Sequence, residues 1–136
     1  MKDWFIFAMI ALILFGLWGF FPKLGGSYIK PKSFIIYEAL GYLIVTIILL
    51  FNVGFKPEFH TKGVTFAILT GIAGVVGTLF FVYSLVNGKV SVVVTMTALY
   101  PIITILLASL ILKEPITLKQ GIGMIFALLA MALFSL

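Results

Sequence analysis

The chain has 136 residues, 63% of them hydrophobic and 10% charged, and its mean hydropathy of +1.31 lies far outside the range of soluble globular domains. The net charge of +5 comes from lysines at the ends of apolar runs, a membrane-interface pattern that gives little support to nucleic-acid binding. The absence of cysteine excludes disulfides and thiol chemistry. An all-α polytopic membrane protein is expected, with a single transmembrane domain over residues 1–136.

The opening MKDWFIFAMIALILFGLWGFF sets Lys2 before an apolar run. From Trp4 to Phe21 that run has 18 residues, longer than a signal-peptide core, and no A-x-A-like site follows, so a first span over about 4–22 is expected. PKLGGSYIKPK (22–32), with two prolines, two glycines and three lysines, reads as an interfacial loop. The second span, 33–54, carries Glu38. NVGFKPEFHTKG (52–63) leads into the third span, 63–87, with Thr61 as its expected cap. Only Asn87, Gly88 and Lys89 separate this span from the fourth, 90–112, which predicts a tight antiparallel hairpin. KEPIT (113–117) ends the fourth span, and Thr117 with Gln120 fits the T-x-x-Q capping box of the fifth, 116–136. Period-two alternation is absent, and each run can satisfy its own backbone as a helix.

An odd number of spans puts the two termini on opposite faces. Lys2, Lys56, Lys62, Lys113 and Lys119 then lie on the side of the N-terminus, and Lys23, Lys30, Lys32 and Lys89 on the other. Five against four is a small bias: it permits insertion both ways up, or one orientation set by a few flanking residues or by the first helix alone.

The fourth span has no charge from Val90 to Leu112, yet TALYPIIT (97–104) puts Pro101 near its centre. The proline lacks an N–H and crowds the Thr97 carbonyl four residues earlier. Thr97, Pro101 and Thr104 share a helix face, with Tyr100 beside them. Two readings stay open: the wall of a polar cavity, or a structural kink with each threonine bonded back to its own helix. Trp18 is either a belt residue or a stacking platform in the pathway. Lys23 either snorkels to the headgroups or lines that pathway. Glu38 is the one ionisable side chain clearly inside a span, suited to exchange a proton for a cationic substrate or to pair with Lys30 or Lys32. Tyr83 and Asn87, a turn apart, either add polar groups to a cavity or sit at the interface. Glu114, in a loop beside Lys113 and Pro115, reads as structural. Gly71, Gly74 and Gly77 read as intramolecular packing, and Gly123, Ala127 and Ala130 as a contact with a second protomer.

FGLWGFFPKLG (15–25), FFVYSLVNGKVSVV (80–93) and ALYPIITILLASLILKEPITLKQGIGMIFALLAMALF (98–134) resemble the EamA domain of the drug/metabolite transporter superfamily. The third stretch is the most specific, with its mid-helix Tyr-Pro, its Lys-Glu-Pro turn and Gln120-Gly121 opening a glycine-studded last helix. The resemblance implies two such units in tandem, as inverted five-helix repeats around a central cavity that exports small metabolites, amino acids or drugs. One unit is present here. The missing half is then a second copy in an antiparallel homodimer, or a paralogous half-size partner, around a midplane substrate site. The implied function is that of a secondary transporter of a cell membrane (plasma or inner), with a small-molecule substrate and the lipid bilayer as partners. The pathway residues are Trp18, Lys23, Glu38, Tyr83, Asn87, Thr97, Tyr100, Pro101 and Thr104. No cofactor or metal is expected, and enzyme chemistry finds little footing: His60 and Asp3 lie far apart and no phosphate-binding glycine loop is present. A small dual-topology ion channel and a non-transporting membrane subunit stay open as alternatives.

Overall fold

Apolar runs that must close their own hydrogen bonds in lipid have one local solution, the helix. The computed structural model describes residues 3–135, so Lys2 of the charge count and Leu136 of the expected last span fall outside it. Helices run over α1 (Asp3–Gly25), α2 (Pro31–Asn52), α3 (Thr61–Asn87), α4 (Val90–Thr97), α5 (Tyr100–Ile111) and α6 (Leu118–Ser135). The expected fourth span is thus two helices, α4 and α5, interrupted at Ala98 and Leu99. The segments α1, α2, α3 and Val90–Ile111 are long and apolar enough to cross a membrane. The 18 residues of α6 cover about 27 Å, at the short end of what spans roughly 30 Å of hydrocarbon. The chain is an all-α, multi-pass membrane protein.

Local chemistry explains where the boundaries depart from expectation. Pro22 does not end α1, which runs on to Gly25, because the Gly26 N–H donates to the Pro22 carbonyl at 2.9 Å and closes another turn. Pro31 begins α2 two residues early; at the first helical position its missing N–H costs no helix bond. The end of α2 is a Schellman motif: Gly54 takes φ +60°, its N–H reaches the Phe51 carbonyl at 3.1 Å, and the Phe55 N–H reaches Leu50 at 3.0 Å. The rings of Phe51 and Phe55 meet edge to face at 4.8 Å across it.

Thr61, expected to cap α3, is instead inside its first turn. The cap is His60, whose Nδ1 accepts from the Gly63 N–H at 3.4 Å and whose carbonyl accepts from Val64 at 2.9 Å. The capping box of α6 forms as expected. The Thr117 N–H donates to Gln120 Oε1 at 2.8 Å and the Gln120 N–H to Thr117 Oγ1 at 3.3 Å. Thr117→Val removes one of these reciprocal bonds and is expected to cost about 1 kcal/mol, read as a lower Tm in detergent.

The chain divides into two compact units, Met1–Asn87 and Gly88–Leu136. In the first, α3 packs against both α1 and α2. Its buried face is Thr78, Phe81, Val82 and Leu85, an i, i+3, i+4, i+7 stripe, and α1 contributes buried Gly19 and Pro22. In the second unit, α4 packs against α6. Most other large apolar side chains point outward, where hydrocarbon is their solvent. Within the first unit, a methyl added at Gly71, Gly74 or Gly77 would meet nothing within 4 Å, so α1 and α2 do not pack closely on this stripe.

Candidate functional site

In the first unit, the paths of α1 and α2 bring Trp18 and Glu38 together. Trp18 lies seven residues before the end of α1 and Glu38 seven after the start of α2, so each is roughly 10 Å from its helix end. The Trp18 indole N–H donates to Glu38 Oε1 at 2.8 Å. The same oxygen accepts from the Tyr42 hydroxyl at 3.1 Å. These neutral donors, rather than Lys30 or Lys32, are the hydrogen-bond partners of the carboxylate. Tyr42 escapes the reading of the sequence, although its i+4 spacing from Glu38 on one helix face is a usable signal. Behind Trp18 lies Phe81 of α3, its ring stacked at 5.4 Å between centroids with 9° between planes.

Lys23, half-buried, reaches across to α3, where its Nζ donates to the Leu85 carbonyl at 2.6 Å. Leu85 is in the last turn of α3, whose carbonyls have no amide four residues on and carry the negative end of the helix dipole. The ammonium of α1 thereby ties the ends of α1 and α3 together. One turn away, Asn87 donates to the Tyr83 carbonyl at 2.8 Å, and both side chains are exposed.

In the second unit, the interruption between α4 and α5 falls eight to nine residues into the fourth span, about 12–14 Å deep and close to the midplane. Ala98 (φ −62°, ψ −5°) and Leu99 (φ −82°, ψ −5°) stay in the right-handed region but with ψ far from the α-helical value. The turn is closed by tight bonds three residues apart, Leu99 N–H to Met96 at 3.3 Å and Ile102 N–H to Leu99 at 2.9 Å. Pro101, with no N–H to return to Thr97, is the local cause. Thr97 Oγ1 donates to its own helix at Val93 and Val94, 2.9 and 3.1 Å away, and Thr104 to Tyr100 at 3.3 Å. With their protons engaged, these hydroxyls offer lone pairs to an incoming donor. Thr97, Tyr100, Pro101 and Thr104 are all exposed.

Glu114 borders a hollow of about 80 Å³ with Ile105, Ala108, Pro115, Ile116 and Gln120. That volume is well short of the several hundred Å³ typical of ligand pockets, in keeping with a structural part for the KEP turn. Among the described residues no group of three metal-ligating side chains occurs.

Residues 2–136 match the EamA-like transporter family. The chain belongs to this family. Over 133 residues the EamA chain is 32% identical to an uncharacterised protein of Methanocaldococcus jannaschii, MJ1333.1, with 96% of this chain and 95% of that one aligned. It is also 34% identical, over 114 residues, to the uncharacterised transporter YyaM of Bacillus subtilis, covering 79% of this chain but 36% of YyaM. No solved structure matches it. Family membership puts this membrane protein among transporters.

Proposed function

We propose that two copies of this EamA chain insert in opposite orientations and form an antiparallel homodimer that carries small organic molecules across a cell membrane by alternating access. The observation that carries the reading is the interruption at Ala98 and Leu99. A broken helix near the midplane is tolerated where protein or a water-filled cavity covers it, and secondary transporters use such breaks to build substrate sites. The Thr97 and Thr104 oxygens and the Tyr100 ring flank the break on the substrate pathway, and the break is the point about which α4 and α5 flex. Within the first unit, Trp18, Lys23, Glu38, Tyr83 and Asn87 are pathway residues in this reading. The short match to YyaM supports pairing, since a transporter of that length has room for more than one such unit. The near-even lysine count supports insertion both ways up.

Orientation tests the pairing. The chain has no cysteine, so a single cysteine appended after Leu136 reports its side without ambiguity. A membrane-impermeant thiol reagent applied to intact cells is expected to label roughly half of the chains, and nearly all after permeabilisation. Labelling from one side only eliminates the homodimer and points to a paralogous partner. Flux tests the class: saturable uptake into liposomes with counter-substrate stimulation separates a transporter from a channel, whose conductance does not saturate at low concentration.

A further inference from the structure

Glu38 sits at a depth where an uncompensated carboxylate is expensive. Its two bonded donors, Trp18 and Tyr42, are neutral, so they fix the carboxylate without cancelling its charge. Both fall on Oε1. A carboxylate has about four lone-pair sites, and Oε2 takes part in neither bond. Lys23, the cation of α1, donates to the end of α3. Phe81 covers one face of the indole, and Trp18 and Tyr42 stay 37% and 53% exposed. A positioned carboxylate oxygen beside two electron-rich rings recognises an ammonium group: the charge meets the carboxylate, and the C–H-rich flank of the cation lies over a ring.

We propose that Trp18, Glu38 and Tyr42 form a binding site for an organic cation, a protonated amine bearing an apolar group, and that such amines are the substrate class. The second half of this rests on the transporter reading above; the first half does not, and binding is measured apart from flux. An organic anion of the same shape would be repelled by Glu38, and a neutral analogue would leave the carboxylate uncompensated.

The test uses the purified full chain in detergent at neutral pH, carrying Trp4→Phe so that Trp18 is the one remaining tryptophan. Phenethylamine is compared with 3-phenylpropionate and 2-phenylethanol by titrating Trp18 fluorescence. The amine is expected to bind saturably and about tenfold or more tighter than either analogue, as for a charge-assisted bond. Glu38→Gln keeps an oxygen for Trp18 and Tyr42 but removes the charge, and is expected to abolish that preference. Equal affinity for the three probes, or unchanged amine affinity in Glu38→Gln, overturns the site. Should that variant fail to fold, the three-probe comparison on the parent chain decides alone. In liposomes, amine binding without amine flux supports the site and removes amines as the substrate class. Amine flux indifferent to Glu38→Gln removes the site and leaves the transporter.

Discussion

Pro101→Ala is expected to cut flux per folded molecule by about tenfold or more while leaving the fold as stable or more stable. Alanine restores an N–H that can close on the Thr97 carbonyl, and it is favoured over proline inside a helix by about 3 kcal/mol. That is enough to shift a balance between broken and continuous forms of the fourth span by roughly two orders of magnitude. Straightening would draw Ala98 and Leu99 into ordinary helix, replacing the tight Leu99–Met96 and Ile102–Leu99 bonds. If the interruption is the flex point of alternating access, transport falls because the moving element has been stiffened. Flux in liposomes normalised to folded protein, beside a Tm in detergent, separates this from a folding effect. A variant that melts early yet transports at the parental rate per folded molecule shows the break to be structural, with the threonines merely bonded back to their own turns.

The legible part of this fold rests on chemistry local in sequence. Apolar run lengths locate the helices to within a few residues, and Thr117 with Gln120 announces the reciprocal capping bonds at the start of α6. The boundary differences have one origin: prolines and loop residues signal termination in a sequence, whereas Pro22 and Pro31 sit where the loss of one N–H is absorbed within a turn. His60 shows the same limit, since an imidazole is a rarer cap than the adjacent threonine. The site is harder. Glu38 and Trp18 stand out singly, by charge and by depth, but their bond spans twenty positions and depends on how α1 and α2 approach through α3. Composition carries no trace of that. Likewise, periodicity aligns Gly71, Gly74 and Gly77 without telling whether a neighbour lies over them, and within the first unit none comes within 4 Å of an added methyl.

Gly26 is where a single methyl is expected to do the most damage. Gly54 has a positive φ but Gly26 does not, so Gly26 is small for want of space rather than for conformation. A Cβ there would stand 2.8 Å from the Pro22 carbonyl oxygen and 2.9 Å from Val86 Cγ2. The valine methyl has some freedom to turn away. The carbonyl has little, because it is held at 2.9 Å by the N–H of Gly26 itself, the bond that carries α1 past its proline. Gly26→Ala must therefore open that last turn or push α1 off α3. Either movement strains the Lys23–Leu85 bond and the Trp18–Phe81 stack that set the height of the indole against Glu38. A loss of about 1–3 kcal/mol is expected, seen as a lower Tm in detergent, and Gly26→Val should lose more. Gly16→Ala is the control, in the same helix but with nothing within 4 Å of the new methyl, and it should hold or gain a few tenths of a kcal/mol through helix propensity. If the two alanine variants melt together, the crowding at Gly26 is relieved by small shifts, and the end of α1 is not what holds Trp18 in place.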